Sequence, residues 1–373
     1  MGTPITSPES LTGISKLVDA SLLPLATSID RDGLYPRDFL RQLGALGGFG
    51  RVASPSAALE PGLSRQIDII ARVGSVCGST AFLVWCQSTC AWYLQHAPEA
   101  AVRQRYLEPV ARGTLLAGTG MSNAVKHLAG IEKMHLVARR SGDGYVVDGV
   151  LPWVSNLDAG HLLVAAASVE GGGYVMFAVE CGTAGPTLHH CPEFSGMRGT
   201  GTLNVRFRAV HIDAGGVLAH PEQFDEYMRR IKAGFVLGQT GMGFGVVEGS
   251  LKTIREGQAS HAHVNAFLDD SEAGLAEALA TLQARALVLA GQVQSATAPM
   301  LPVLKLRAEV SGLALRAANA AVLHAGARGY LMRHPAQRQL REAVFVAIVT
   351  PALKHLRKEI HDLEQASART EAA

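Results

Sequence analysis

The feature that most constrains the fold is a change of hydrophobic spacing that occurs twice along the chain. The first 113 residues carry apolar side chains at helical spacing, as in the segment from Ser64 to Val76. From about Leu115 to Ile212 the spacing shortens to the alternation typical of strands, and beyond Pro221 helical spacing returns. The order predicts a small β-domain between two helical domains.

The middle segment contains strand and turn patterns in close succession. The clearest alternation lies in residues 204–210, which predicts a strand with one solvated face. The predicted strands are Leu136–Arg139, Tyr145–Val147, Leu162–Ala167, Tyr174–Val179 and Leu203–Ile212. Glycine-rich turns separate them, so we expect a compact antiparallel β-domain, a barrel or a sandwich.

The last segment predicts a bundle of long helices with short connections. The four predicted helices are Ile231–Arg255, Asp270–Ala298, Val303–His324 and Gln337–Ala366. The predicted fold class is therefore α+β. The expected domains are an N-terminal helical domain at 1–113, a β-domain at 114–218 and a C-terminal four-helix bundle at 219–373.

Composition narrows the class of protein. Hydrophobic residues make up 48% and charged residues 18% of the 373 positions, as in a packed soluble protein. A formal net charge of +2, without a basic cluster interleaved with aromatics, argues against nucleic acid or a membrane as partner. The apolar stretches, such as residues 162–169, are too short to span a bilayer.

The cysteines and the N-terminus indicate a reducing compartment. None of the five cysteines shows a C-x-x-C spacing, so we expect buried thiols and no metal site. Cys86 and Cys90 would share a helix face with large apolar neighbours, which favours a core position. Residues Met1 to Pro8 have neither a basic nor an apolar region of a secretory signal, which predicts a cytoplasmic protein.

Four local phrases resemble one family. Residues 143–149 (DGYVVDG) followed by 153–156 (WVSN) are similar to the phrase D-G-Y-x-x-N-G-x-K-x-W-I-T-N. Residues 196–200 with the strand 205–212, the helix start at 237–245, and Arg341-Glu342-Ala343 follow in the corresponding order. By these phrases the chain resembles the acyl-CoA dehydrogenase family over nearly its whole length.

The resemblance implies FAD bound at subunit interfaces of a homo-oligomer, a dimer or a tetramer. The isoalloxazine ring would lie between the β-domain and the bundle, with Trp153 near the ring and Ser155 offering its hydroxyl to the flavin edge. A flavin needs such an apolar slot with a few placed hydrogen bonds. Trp153 is otherwise interpreted as a core residue at a strand end.

Other cofactor contacts are carried over by the same resemblance. The family's flavin-wrapping loop resembles residues 119–127, where Thr119 and Ser122 are hydroxyl donors. Its R-x-x-F phrase falls near Arg255, without the phenylalanine, and its Q-x-x-G-G-N-G phrase appears at 323–329 without the glutamine. Arg328 either replaces a lost pyrophosphate contact or faces the dipole at a helix C-terminus.

The family's catalytic base is missing from its usual positions. Members of the family remove the α-proton of an acyl-CoA with a glutamate while hydride passes from the β-carbon to the flavin. In most members this glutamate stands nine residues after the arginine of R-D-A, and the corresponding residue here is Thr350. Other members place it on the first bundle helix, where this chain has Lys232 and Ala233.

The leading hypothesis is an FAD-dependent oxidoreductase that oxidises an acyl-CoA or similar thioester at the α,β carbons. Lys232 would lie near the CoA moiety, where Arg229 and Arg230 complete a basic patch suited to phosphate. The same patch is also typical of a solvated helix face.

Two other functions stay open at this point. The first is a monooxygenase of the same fold, which would use a histidine to steer a flavin hydroperoxide. The candidates are His127, His161, His324 and His355, and the sequence favours none of them. The second is a non-catalytic homologue that acts as a binding or scaffold subunit, because Gln, Glu and the R-x-x-F aromatic are all absent.

Overall fold

A computed structural model describes residues 8–52, 59–60, 62–182 and 184–371 of the chain. The prediction that the chain has no secretory signal was based mainly on residues 1–7, which lie outside the described residues. The helices before the sheet are α1 (Pro8–Leu17), α2 (Ala26–Arg31), α3 (Arg37–Ala45), α4 (Leu63–Gly74), α5 (Gly78–His96) and α6 (Ala100–Ala111). Strands β1 (Arg51–Val52) and β2 (Leu59–Glu60) pair between α3 and α4.

Helix α5 is buried on nearly all its faces from Gly78 to Leu94, in keeping with a sequence in which apolar and small residues predominate and charged ones are absent. Its first backbone N–H, on Gly78, donates to Glu342 Oε1 at 2.8 Å, which satisfies one of the free donors of the helix N-terminus. Cys86 and Cys90 are buried free thiols on this helix, so their predicted core position is confirmed.

One mixed sheet forms the middle of the chain. Its strands are β3 (Ala117–Thr119), β4 (Leu136–Ser141), β5 (Gly144–Val154), β6 (Leu162–Val169), β7 (Tyr174–Glu180), β8 (Thr187–His190), β9 (Leu203–Ile212) and β10 (Val217–Ala219). Their order is β10-β7-β6-β4-β5-β9-β8, with β3 added beside β6. Most pairs are antiparallel, whereas β6 runs parallel to β3 and to β4.

The five predicted strands are confirmed, and the alternation in β9 places Val205, Phe207 and Val210 in the core of the sheet. The short strands β3, β8 and β10 and the helix α7 (Ser122–Leu128) were not predicted. They are three to seven residues long, which is too short for hydrophobic spacing to develop. The proposed domain boundary after residue 218 falls inside β10.

The C-terminal helices form the bundle. They are α8 (Phe224–Gly238), α9 (Thr240–Asn265), α10 (Glu272–Gln294), α11 (Met300–Ala325), α12 (Pro335–Ile348) and α13 (Leu353–Glu371). The prediction of one helix over Gln337–Ala366 is wrong, because residues 349–352 interrupt it. Pro351 has no N–H to donate and disfavours helical geometry at Thr350. The predicted helix Ile231–Arg255 is divided between α8 and α9, which meet at Gln239.

Helix α10 has one apolar face directed away from the bundle. Leu287 and Val288 are 63% and 62% exposed, while Leu275 and Leu282 on the other face are buried. Within the described part of the chain α10 is long and apolar enough to cross a membrane on length and composition alone, with 33% of its most apolar window buried. The expectation that no membrane is involved therefore stays a prediction.

Candidate functional site

A cavity of about 840 Å³ lies where the sheet meets the helices around it. Helices α5, α7, α12 and α13 and the end of β5 contribute to its walls. The apolar part of its lining consists of Phe82, Trp85, Ile131, Trp153, Phe194, Met197, Phe235, Val344, Phe345, Ile348, Val349 and Ala352. Its size and its mainly apolar lining are those of a small-molecule or cofactor site, which spans roughly 300 to 1,000 Å³.

Hydroxyl groups are concentrated on one part of this cavity wall. Thr119, Ser122 and Ser155, all predicted to bind a cofactor, line it together with Thr350. Ser122 Oγ and Thr350 Oγ1 are 2.8 Å apart, and Ser155 Oγ is 2.6 Å from Thr202 Oγ1. The structure thus brings these residues into one cavity, although Ser122 and Thr350 are far apart in sequence.

Trp153 presents its indole ring to the cavity. Its side chain is 63% exposed, so the alternative interpretation as a core residue is wrong. The residue lies at an irregularity of register between β5 and β9, in the left-handed region at a φ of 58°. Such a bulge redirects a side chain, and a tryptophan in this conformation is strained. Phe194 packs against the indole edge to face, with 6.0 Å between ring centroids.

A buried arginine holds Thr350 in the cavity wall through one intervening side chain. Arg307 on α11 is completely buried, and its Nε donates to Gln239 Oε1 at 3.0 Å. Gln239 Nε2 in turn donates to the carbonyl of Thr350 at 2.8 Å. Arg307 also donates through Nη2 to the carbonyl of Val346 at 2.6 Å, so the guanidinium fixes both the end of α12 and the segment that follows it.

The cavity offers little free carboxylate. Among the described lining residues, Glu132 is the acidic one, and it accepts hydrogen bonds from Asn123 at 2.8 Å and from Lys126 at 2.9 Å. Burial alone would raise the pKa of Glu132, but these two donors outweigh it and hold the pKa below its ordinary value. Glu132 is therefore a weak proton acceptor.

A second cavity of about 360 Å³ adjoins the first and shares Phe235, His355 and Lys358 with it. Lys232, predicted to contact the substrate, lines this smaller cavity and is paired there with Glu359. Arg229 lines it as well, so two of the three predicted basic residues reach the same cavity.

His355 differs from the other three candidate histidines. His127, His161 and His324 each have a ring nitrogen within hydrogen-bonding distance of the backbone. His355 has a side chain only 4% exposed, yet neither of its ring nitrogens has a hydrogen-bond partner among the described residues. Only the tertiary packing distinguishes it from the others, so no sequence signal could have selected it.

Arg255 and Arg328, the remaining predicted cofactor contacts, line neither of these two cavities. Arg255 is exposed and paired with Glu272 at 2.8 Å. Arg328 is exposed in the turn Gly326–Tyr330 that follows α11. The predicted cofactor residues therefore form two separate groups within one copy of the chain. No group of three or more His, Cys, Asp or Glu placed to hold a metal ion occurs among the described residues.

Comparisons with known proteins agree with this architecture. A family model described as the N-terminal domain of acyl-CoA dehydrogenase matches residues 11–114. Cyclohex-1-ene-1-carbonyl-CoA dehydrogenase of Geobacter metallireducens is 25% identical over 349 residues, which cover 88% of this chain and 90% of the relative.

Two solved structures share the fold. Butyryl-CoA dehydrogenase from Megasphaera elsdenii superposes with a TM-score of 0.85 at 18% identity, covering 98% of this chain and 100% of the other. KijD3 in complex with FMN and a dTDP-sugar gives a TM-score of 0.80 at 18% identity, covering 98% and 95%. The family-model match, the relative aligned over most of both chains and the shared fold lead to one conclusion: the chain is similar to acyl-CoA dehydrogenases in sequence and has their fold.

Proposed function

We propose that the protein is an FAD-dependent oxidoreductase that oxidises an acyl-CoA, or a similar thioester, at the α,β carbons. The observation that carries this proposal is a pair of adjoining cavities, the larger where the sheet meets the helices and the smaller among α5, α7, α8 and α13. The larger one is lined by the exposed indole of Trp153 and by several hydroxyls, and the smaller one is lined by apolar side chains together with Lys232 and Arg229. A planar redox cofactor fits the first, and a thioester with a phosphate-bearing carrier fits the second.

The residues of the larger cavity fit a flavin ring. The exposed indole of Trp153 is a large apolar surface that a planar ring would cover, and covering it would stabilise the bound state. Ser155, Thr119 and Ser122 supply hydroxyls that can donate to ring oxygen and nitrogen atoms. When bound, the flavin supplies the acceptor for hydride, while these residues hold and orient it.

Lys232 is the proposed contact for the CoA moiety. Its ammonium now pairs with Glu359, whose carboxylate is 19% exposed. A phosphate of the substrate carries more charge than one carboxylate, so it would compete for this lysine. Arg229, on the same face of α8 one turn earlier, lines the same cavity and adds a second positive charge.

We also propose that the active form is a homo-oligomer, a dimer or a tetramer. Arg255 and Arg328 would then contact the FAD bound mainly by another copy. In support, exposed apolar side chains surround this end of the bundle, where Asn265 bonds the carbonyl of His324. They are Val264 (51%), Phe267 (87%), Leu323 (53%), Tyr330 (81%), Leu331 (57%) and Met332 (53%). Such a patch is typical of an interface.

The test begins with the purified full-length protein and its absorption spectrum. We expect the flavin bands, and anaerobic bleaching of these bands on addition of a saturated acyl-CoA. Trp153→Ala should weaken FAD binding, whereas Trp92→Phe, a change outside the larger cavity, should leave it intact. A colourless protein that also fails to take up added FAD would contradict the proposal and favour a binding or scaffold subunit. Oxygen consumption that depends on a separate flavin reductase would instead favour the monooxygenase.

A further inference from the structure

The proposed oxidation needs a group that accepts the α-proton of the thioester, and the residues where the family keeps its glutamate do not provide one. Thr350 holds a neutral hydroxyl that bonds to Ser122. Glu132, the acidic residue among the described ones in the larger cavity, is bound by Lys126 and Asn123. A different acceptor must therefore serve this chain.

His355 is a buried imidazole that lines both cavities. It lies in the first turn of α13, five residues after Thr350, and is 4% exposed. Both Nδ1 and Nε2 are without a hydrogen-bond partner among the described residues. A buried polar atom left unpaired is unfavourable, so an unpaired ring in a cavity wall indicates a ligand that completes its hydrogen bonds.

We infer that His355 is the catalytic base of this protein, the group that takes the α-proton of the acyl thioester. The inference rests on the proposed function and adds the identity of the base. The α C–H bond breaks, its proton goes to an imidazole nitrogen, and its electron pair forms the new C=C bond. A bound flavin would accept the hydride that leaves the β-carbon, so the products would be the enoyl thioester, reduced flavin and imidazolium. The imidazolium returns its proton to water when the product leaves.

Burial and the charges around His355 keep its ring uncharged. Burial lowers the pKa of the imidazole below its ordinary value, and the nearby ammonium groups of Lys232 on α8, Lys358 on α13 and Lys126 on α7 lower it further. Glu359 acts in the opposite direction. The N-terminus of α13 also disfavours positive charge there. At neutral pH the imidazole is therefore uncharged, and one ring nitrogen has a free lone pair that can accept a proton.

Glu359 is placed to stabilise the imidazolium after proton transfer. Its Oε2 is 3.7 Å from His355 Nε2, while its Oε1 bonds to Lys232. This distance is slightly longer than a hydrogen bond, and it would shorten when the ring becomes charged. Glu359 is thus a positioning residue for the base, and it links the base to the lysine proposed to contact the substrate.

Proton abstraction can be measured apart from oxidation. A 3-thiaacyl-CoA has sulfur in place of the β-carbon and has no β-hydride to transfer, so exchange of its α-protons in D₂O reports only the base. We expect His355→Gln to slow this exchange, followed by mass spectrometry, by about 100-fold or more. His324→Gln is the matched control, because His324 is also buried with one ring nitrogen unpaired and lines neither of these two cavities.

A second measurement needs no flavin. In the full chain without flavin, the ¹³C-histidine NMR signal lost in His355→Gln identifies residue 355. That signal should titrate below the free-histidine range and shift on addition of the 3-thiaacyl-CoA, while the His324 signal stays in place. A His355 signal whose position does not change when the 3-thiaacyl-CoA is added would overturn the inference. So would an unchanged exchange rate in His355→Gln.

The outcomes separate the inference from the function beneath it. If the native protein takes up FAD and acyl-CoA bleaches it, while His355→Gln bleaches equally fast, the inference alone is wrong. If acyl-CoA neither bleaches the native flavin nor exchanges its α-protons, the proposed function fails first. Because neither ring nitrogen is bonded, His355→Leu should unfold at the same urea concentration as the native chain or at a higher one. A large loss of stability would identify a structural histidine and overturn the inference.

Discussion

Arg341 binds Asp30 through two parallel hydrogen bonds, Nη1 to Oδ1 at 2.6 Å and Nη2 to Oδ2 at 2.8 Å. The pair joins α12 to α2 across 311 residues of sequence, with side chains 17% and 6% exposed. Arg341 belongs to the triplet that resembled R-D-A, and it also lines the larger cavity. The first and last parts of the chain are therefore fastened together beside the proposed site.

Removing the carboxylate of this pair should destabilise the fold strongly. Asp30→Ala leaves the Arg341 guanidinium largely buried without its partner, which typically costs about 3 kcal/mol. Urea unfolding followed by circular dichroism measures the loss. Glu309→Ala is the control, because its pair with Arg285 is exposed at 42% and 47%, and we expect a change below about 1 kcal/mol. If the two substitutions lowered the free energy of unfolding equally, burial of the Arg341–Asp30 pair would not explain its contribution to stability.

His96 should make the fold sensitive to mild acid. Burial lowers the pKa of its imidazole to about 4, with the hydrogen bond to the Trp92 carbonyl opposing and Arg230 adding to the decrease. The unfolded chain therefore binds the proton first as the pH falls from 6.5 towards 4, and stability is lost over this window. Between pH 7.5 and 5 the loss from this residue is about 2 kcal/mol.

His96→Gln should remove that part of the pH dependence. Urea midpoints at pH 7.5 and 5 then differ less for the variant than for the native chain. Parallel pH curves for the two proteins would show that His96 titrates normally in the folded state.

Two helical glycines should respond to alanine in opposite directions. A Cβ at Gly234 on α8 would lie 2.4 Å from Cε2 of Trp92, whose indole donates to the Ile231 carbonyl. Gly234→Ala should therefore lower stability by about 1 to 3 kcal/mol. A Cβ at Gly312 on α11 would meet nothing within 4 Å, so Gly312→Ala should raise stability by up to about 1 kcal/mol. The melting temperatures of the two variants, compared with that of the native chain, test this prediction. A lower melting temperature for both variants would contradict the finding that a Cβ at Gly312 has room.

The thiols should differ sharply in reactivity. Burial raises the pKa of Cys77 to about 11 and of Cys181 to about 12, and it also raises the pKa of Cys86 and Cys90. Cys191 is partly exposed, so iodoacetamide should modify it first in the folded chain. Peptide mass spectrometry locates the label, and Cys191→Ser should remove the early reaction. Early labelling of Cys86 or Cys90 would show that α5 opens readily.

The sequence predicted the fold well wherever spacing was long and regular. The strand Leu203–Ile212 and the helical spacing at Ser64 to Val76, which forms α4, are confirmed because each repeats one hydrophobic period over ten or more residues. The single helix predicted over Gln337–Ala366 was wrong although Pro351 signalled the break, since apolar spacing continues on both sides of it.

The site was predictable in part. Thr119, Ser122, Trp153 and Ser155 line one cavity, and local phrases alone had pointed to them. That they bind FAD stays a prediction. The pairing of Lys232 with Glu359 joins residues 127 positions apart, and sequence spacing holds no information on it. The lack of hydrogen-bond partners for the His355 ring also arises from tertiary packing, so sequence spacing could not predict it.

The buried guanidinium of Arg307 connects the interior of the bundle to the wall of the larger cavity. Since Arg307 holds Gln239, and Gln239 holds the Thr350 carbonyl, the shape of the cavity wall is set from a residue that lines neither of the two cavities. Variation in the core of α11 can therefore change the shape of this cavity wall, while every side chain that lines the cavity stays the same. For this chain, selection or design of a new substrate preference can begin in the middle of the bundle.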